Sequence, residues 1–186
     1  QQADPDSLLN HYRALLDLGF SPSRIAIAGE SAGGNLTLGV LQRIRKNGLP
    51  MPCCAVPISP ATEMARLHGL PSRTSKMRRD QLLPVVALSR VAEFYVGAHD
   101  ANDPELSPLY ADLQGFPPLY LLASDNEILL DDTVLFVQRA REAGIATQME
   151  IWPLLPHAFP LFERIFPEVR EARKDIVSFM RQHLLP

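Results

Sequence analysis

The feature that most constrains this 186-residue chain is a G-x-S-x-G pentapeptide at residues 29–33, set between an apolar run and a helical pattern. The run Ile25–Ala28 predicts a strand buried on both faces, and the residues from 32 to 46 predict a helix. A serine in this strand-turn-helix context lies at the tip of a tight turn, with its Oγ exposed at the edge of the sheet. We therefore predict that Ser31 is a nucleophile. The alternative is an ordinary glycine-rich loop between a strand and a helix.

The residues around Ser31 suit such a turn. Gly29 and Gly33 are expected to remove Cβ atoms that would clash within it. The N–H of Ala32 would lie at the start of the helix, where it could face the negative oxygen of a reaction intermediate. The pattern thus predicts Ala32 as a contributor to an oxyanion hole.

Strand-like and helix-like segments alternate along the rest of the chain. We predict helices at residues 5–18, 32–46, 84–96, 131–143 and 167–183, and strands at 25–28, 53–58, 119–123 and 147–152. The segments 59–79 and 97–115 are predicted to be irregular, and the basic residues between Arg66 and Arg79 to be a solvated loop. Alternation of this kind is typical of an α/β fold with a mainly parallel sheet flanked by helices. Sites in such sheets form at the carboxyl ends of the strands, where Ser31 lies.

Composition limits the possible partners and locations. A hydrophobic content of 46% and a charged content of 21% are typical of a globular protein. The net charge of −3 gives no reason to expect nucleic acid or an anionic membrane as a partner. No apolar run approaches the length of a membrane span, so none is predicted. The two cysteines, Cys53 and Cys54, are adjacent and cannot join distant segments, which favours core thiols and a cytoplasmic location.

A serine hydroxyl needs a base to accept its proton. His157 follows the fourth predicted strand and is the one histidine of five that lies at the carboxyl end of a strand, on the same edge as Ser31. We predict His157 as the base. The other four lie within predicted helices or in loops that follow no strand: His11, His68, His99 and His183.

The base in turn needs a carboxylate to orient it. Four carboxylates follow the third predicted strand: Asp125, Glu127, Asp131 and Asp132. The last two suit the first turn of a helix, where negative charge is favourable. Asp125 and Glu127 are both plausible orienting groups, and the residue pattern alone leaves the choice between them open.

These motifs together resemble the hormone-sensitive-lipase-like carboxylesterases, also called bacterial lipase family IV, which have the α/β-hydrolase fold. The matching segments run nearly from end to end of the chain: Gly29-Glu30-Ser31-Ala32-Gly33-Gly34, Ser59-Pro60, Ser107-Pro108-Leu109, Phe116-Pro117-Pro118-Leu119, Glu127-Ile128-Leu129-Leu130-Asp131-Asp132 and His157-Ala158-Phe159. The resemblance implies a triad of Ser31, Glu127 and His157. It favours Glu127 because the family's acid opens that motif about thirty residues before the histidine, whereas Asp125 is out of register by two and becomes the second choice.

One family motif is missing. Family members carry an H-G-G-G motif upstream of the serine, and this motif supplies most of the oxyanion hole. They also carry N-terminal cap helices. This chain contains no H-G-G sequence. By resemblance, residues 1–186 correspond to the C-terminal part of a single catalytic domain, the last four of eight strands. We therefore expect the chain to be part of a larger protein whose missing N-terminal segment is its partner. The loss of one oxyanion donor lowers turnover by about 10²–10³-fold, so we expect the chain alone to be inactive. Without the neighbouring N-terminal strand, we also expect the strand before Ser31 to be an exposed edge.

The resemblance implies a serine carboxylesterase that hydrolyses short- to medium-chain esters through an acyl-enzyme, with no metal or organic cofactor. Two alternatives are a non-catalytic ligand-binding receptor of the same fold and a formamidase-like amide hydrolase. A homodimer through the last strand, Thr147–Trp152, is also expected, because that strand would lie at the outer edge of the sheet.

Overall fold

A computed structural model of the protein describes residues 5–66 and 69–184; His68 lies outside them. Four strands alternate with six α-helices. In chain order the elements are α1 (Pro5–Asp17), β1 (Ala26–Glu30), α2 (Ala32–Lys46), β2 (Cys54–Ile58), α3 (Pro71–Ser75), α4 (Val85–Val96), β3 (Leu119–Ser124), α5 (Leu130–Glu142), β4 (Thr147–Trp152) and α6 (Val169–His183). Short 3₁₀ turns lie at Pro22–Arg24, Pro108–Tyr110 and Phe159–Leu161.

The strands form one parallel sheet in the order β1-β2-β3-β4. The predicted fold class, a parallel sheet flanked by helices, is confirmed. Within residues 5–66 and 69–184, β1 and β4 are the edge strands. The carboxyl ends of all four strands meet at one edge of the sheet, which we call the catalytic rim: Glu30, Ile58, Ser124 and Trp152.

Helices cover both faces of the sheet. On one face, Leu38 and Leu41 of α2 and Phe136 of α5 pack against Leu119 and Leu121 of β3. On the other face, α6 packs against β2 and β3, with Phe179 stacked on Tyr120. A further cluster lies over the catalytic rim, where α4 packs on the segments that follow β2 and β3. None of the helices in the described ranges is long and apolar enough to cross a membrane.

The ends of the elements differ from the prediction by at most two residues, and two larger differences concern β1 and the segment after β2. The strand predicted at Ile25–Ala28 runs from Ala26 to Glu30, and its residues are half-buried or, at Ala28, exposed instead of buried on both faces, because within the described ranges β1 has a neighbouring strand on one side only. The segment predicted to be irregular at residues 59–79 contains α3. That helix shows no apolar periodicity, and its central residue, Arg73, is fully buried against Asp132 of α5. The basic stretch is therefore not simply a solvated loop.

Candidate active site

Ser31 is the single residue between β1 and α2, and its backbone angles are φ 51° and ψ −115°. A positive φ is unusual for a residue other than glycine, and strain of this kind persists only when surrounding contacts enforce it. Here the N–H of Ser31 donates to the carbonyl oxygen of Ile58 at 2.9 Å, and the N–H of Asn35 donates to the carbonyl oxygen of Ser31 at 3.1 Å. The two bonds fix the turn between β1 and α2, so the side chain of Ser31 projects at the catalytic rim.

Close backbone approach explains two glycines beside this turn. A Cβ at Gly29 would lie 2.3 Å from the carbonyl oxygen of Gly33, and a Cβ at Gly34 would lie 2.9 Å from Cα of Pro60. Neither space admits a side chain. A Cβ at Gly33, by contrast, would meet nothing within 4 Å. The expectation that Gly33 relieves a clash is therefore wrong: Gly34 occupies the second tight position, because the start of α2 lies against the segment after β2.

The structure brings Ser31, His157 and Glu127 into one hydrogen-bonded line. Nε2 of His157 lies 2.9 Å from Oγ of Ser31, and Nδ1 of His157 lies 3.1 Å from Oε2 of Glu127. Glu127 is fully buried and His157 is 7% exposed. A histidine that bonds a carboxylate through Nδ1 has Nε2 available to accept a proton from the serine hydroxyl.

Asp125, the second candidate for the acid, lies elsewhere. Its Oδ1 accepts the N–H of Leu154 at 2.8 Å, and its own N–H donates to the carbonyl oxygen of Trp152 at 3.0 Å. The hydroxyl of the neighbouring Ser124 donates to the carbonyl oxygen of Leu155. Both residues therefore hold the loop that leads from β4 to His157, and Glu127 is the carboxylate that contacts the imidazole.

Two of the remaining histidines bond within their own helices. Nδ1 of His11 lies 2.7 Å from the carbonyl oxygen of Ser7 in α1, and Nδ1 of His183 lies 2.9 Å from that of Phe179 in α6. Both histidines thus lie within helices, as predicted, and away from the strand ends.

Burial and charge act in opposite directions on the pair of Glu127 and His157. Burial raises the pKa of Glu127 above its usual value, although the hydrogen bonds from His157 and Ser59 lower it. Burial lowers the pKa of His157, but the hydrogen bond and negative charge of Glu127 outweigh it, with smaller contributions from Asp80 and Glu30, so this pKa lies above its usual value. The imidazolium form is thus stabilised, as is required of a base that becomes charged during the reaction.

Two site residues were not predicted from the sequence. Ser59, directly after β2, donates its hydroxyl to Oε2 of Glu127 at 2.8 Å. Asp80, 7% exposed, accepts the N–H of Ile128 at 2.9 Å and so holds the backbone beside Glu127. The position of Ser59 at a strand end could have revealed it. Asp80 lies in a segment without any pattern, so only the folded chain brings it to the site.

Ala32 is the first residue of α2 and is exposed. Its N–H is one of those at a helix start that have no acceptor within the helix, and it lies where the helix dipole favours negative charge. Beside it lies a cleft of about 480 Å³. The cleft is mostly apolar and is lined by Ala32, Asn35, Leu36, Met64, Arg90, Val91, Phe94 and Tyr95.

In the part of the chain that the structure describes, no three histidine, cysteine, aspartate or glutamate side chains converge in a way that could hold a metal ion. The polar side chains at the rim instead bond to one another and to the backbone.

Comparison with known proteins extends these observations. A family model for the alpha/beta hydrolase fold matches residues 3–161. An acetyl-hydrolase from Streptomyces hygroscopicus is 38% identical over 170 residues, which are 91% of this chain and 56% of that protein. An esterase from Acinetobacter venetianus is 31% identical over 175 residues, 94% of this chain and 57% of that protein.

Solved structures agree with the sequence relatives. The crystal structure of an esterase from the bacterial hormone-sensitive lipase family superimposes with a TM-score of 0.93 at 36% identity, covering 97% of this chain and 60% of that one. The chain thus spans 56% to 60% of the length of these relatives. The family match shows that the chain belongs to the α/β-hydrolase family, and its similarity to these esterases agrees with the resemblance to hormone-sensitive lipase relatives seen in the motifs.

Proposed function

We propose that the chain carries the nucleophile, base and acid of a serine carboxylesterase. Oγ of Ser31 attacks the ester carbonyl carbon while Nε2 of His157 accepts the hydroxyl proton. The same Nε2 then gives that proton to the departing alcohol, which leaves an acyl group on Ser31. A water molecule, activated by His157 in the same way, releases the carboxylic acid and restores the serine. Glu127 holds the imidazole tautomer and stabilises its charged form.

The observation that carries this proposal is the continuous hydrogen-bonded line from Ser31 through His157 to the buried carboxylate of Glu127. A structural histidine would not need a half-buried, backbone-strained serine on one nitrogen and a buried carboxylate on the other. Relatives with the names esterase and acetyl-hydrolase support the same reaction.

The cleft beside Ala32 supports an acyl-binding role and short- to medium-chain esters as substrates. Its volume of about 480 Å³ is within the range of small-molecule sites, about 300–1,000 Å³. Its mostly apolar lining suits a hydrocarbon chain, and Ala32 is one of its lining residues. We expect an ester bound there to present its carbonyl oxygen to the N–H of Ala32, which would stabilise the oxyanion.

Covalent labelling tests the nucleophile directly. A fluorophosphonate should form one adduct per molecule, and peptide mass spectrometry should locate it on Ser31, because the His157 base activates this hydroxyl. The His157→Ala variant should label far more slowly. An unlabelled Ser31 in the folded protein would contradict the proposal and would favour a receptor.

The pKa of His157 sets the pH dependence. The base works only as neutral imidazole, and its pKa lies above the usual value because of Glu127. We therefore expect kcat/KM of the intact enzyme for p-nitrophenyl butyrate to fall as the pH falls through a value above about 6.5, and to approach a plateau at higher pH. The Glu30→Gln variant removes a charge that raises this pKa, so its acidic limb should move to lower pH. A profile that stays flat from about pH 5 to 8 would exclude His157 as the base.

A further inference from the structure

We propose that Ser59 is a positioning residue, whose hydroxyl holds the Glu127 carboxylate and the loop that carries His157 in one arrangement. This inference rests on the proposed function and assigns Ser59 no contact with the substrate. The first observation is burial: Ser59 is completely inaccessible, at the carboxyl end of β2, between the segments that carry the acid and the base.

The hydroxyl of Ser59 has two partners. It donates to Oε2 of Glu127 at 2.8 Å, and it accepts the N–H of Ala158, the residue after His157, at 3.4 Å. One hydroxyl group can do both, since it carries one donor and two acceptor positions. Ser59 therefore links three strand ends: its own after β2, the acid after β3 and the base after β4.

All polar contacts of the Glu127 side chain go through one oxygen. Oε2 receives both the hydroxyl of Ser59 and the imidazole of His157, whereas Oε1 is buried and has no hydrogen-bond partner among the described residues. Without Ser59, the fully buried carboxylate would keep a single partner, the base itself. Its orientation would then depend on the group that it is supposed to orient.

The backbone of Ser59 indicates that this placement is costly. Its φ is +44°, in the left-handed region that residues other than glycine seldom adopt. The N–H of Ser59 donates to the carbonyl oxygen of Leu122 at 2.7 Å, which anchors the residue to β3. Glycine would adopt this conformation without strain, so the structure retains a side chain here despite its cost.

The charges around the dyad explain why a neutral donor is useful. Asp80 faces both groups, raising the pKa of Glu127 and of His157, and Glu30 faces His157. Burial and the charge of Asp80 both raise the pKa of Glu127 and so disfavour its ionised form. The hydrogen bond from Ser59 favours the ionised form and adds no charge to the site.

The test compares Ser59→Ala and Ser59→Gly with the parent protein, all three in the intact enzyme. Both variants remove the hydroxyl, and Ser59→Gly also removes the backbone strain. We expect kcat for p-nitrophenyl butyrate to fall about 10- to 100-fold in both, because a hydrogen bond to a charged group is lost. KM should stay unchanged, since Ser59 is buried. The acidic limb of the pH profile, which reports the pKa of His157, should move to higher pH. Without the donor from Ser59, the negative charge of Oε2 of Glu127 acts more strongly on the imidazole and raises that pKa further.

Ser107→Ala is the matched control. Ser107 is also a fully buried serine before a proline, and its hydroxyl also both donates and accepts, to the carbonyl oxygen of Ala101 at 2.7 Å and from the N–H of Met64 at 2.8 Å. It should lose stability without any shift in the pH profile. If kcat and the pH profile of both Ser59 variants match those of the parent, the inference is overturned, since the hydroxyl then has no effect. If only Ser59→Gly matches the parent, it is overturned as well, since the backbone and not the hydroxyl then explains the loss in Ser59→Ala.

Fluorophosphonate labelling separates this inference from the proposed function. If the parent does not label at Ser31, the proposed function itself fails, and the role of Ser59 fails with it. If the parent labels and both Ser59 variants label at the rate of Ser107→Ala, only the inference about Ser59 is overturned. An NMR titration of the His157 imidazole gives the same distinction without turnover, since only the Ser59 variants should shift its midpoint.

Discussion

Replacing Ser31 with alanine in the intact enzyme is expected to lower kcat for a p-nitrophenyl ester by about 10⁵–10⁶-fold while leaving the fold intact. In the proposed mechanism, Oγ of Ser31 is the atom that bonds to the acyl carbon, and among the described residues it is the one hydroxyl oxygen within hydrogen-bond distance of Nε2 of His157. The remaining rate would come from substrate binding and the oxyanion donors. Initial rates at saturating ester, with enzyme concentration scaled up for the variant, measure the effect.

Residues that act as one unit lose activity non-additively. The double variant of Ser31→Ala and His157→Ala should therefore be no slower than Ser31→Ala alone. Ser89→Ala serves as the control, because its hydroxyl bonds only to the carbonyl oxygen of Val85 within α4, at 3.0 Å. If Ser31→Ala stays within tenfold of the parent while Ser89→Ala is normal, Ser31 is not the nucleophile.

The largest stability effect is expected at the buried ion pair between Arg73 and Asp132. Both side chains are fully inaccessible, with Nη2 of Arg73 2.7 Å from Oδ1 of Asp132. The same carboxylate accepts the N–H groups of Thr62 and Glu63 at 2.8 and 3.1 Å. Asp132→Asn keeps an oxygen for these N–H groups but removes the negative charge that faces the buried guanidinium of Arg73. We expect the free energy of unfolding to fall by about 3–5 kcal/mol.

An exposed ion pair provides the comparison. Glu163 and Arg173 are about half exposed, so Glu163→Gln makes the same chemical change in solvent and should cost less than about 1 kcal/mol. Urea unfolding followed by circular dichroism gives both values by linear extrapolation. Equal losses in the two variants would mean that burial of the Arg73–Asp132 pair does not decide its contribution.

The choice of acid illustrates the limit of local sequence. Asp125 and Glu127 follow the same strand, and both were acceptable by residue type; only the family motif favoured Glu127. In the folded chain, Oδ1 of Asp125 accepts the N–H of Leu154 and does not contact the imidazole. The hydroxyl of Ser59 donates to Glu127, and Asp80 accepts the N–H of the next residue, Ile128, so both contacts hold Glu127 beside the imidazole. Because Ser59 is 68 residues away from Glu127, no short-range pattern could have made this distinction.

The sequence alone was enough for everything that depends on local periodicity. The four strands, the turn at Ser31 and the position of His157 at a strand end all follow from apolar runs, glycine punctuation and the rule that parallel strands end at one edge. Tertiary structure alone decided what depends on contacts between distant residues: the tight approach at Gly34, the helix around Arg73, and the hydroxyl of Ser59 on the acid. The physical reason is that burial, which makes a hydrogen bond or a charge pair decisive, is created only when separate segments of the chain pack together.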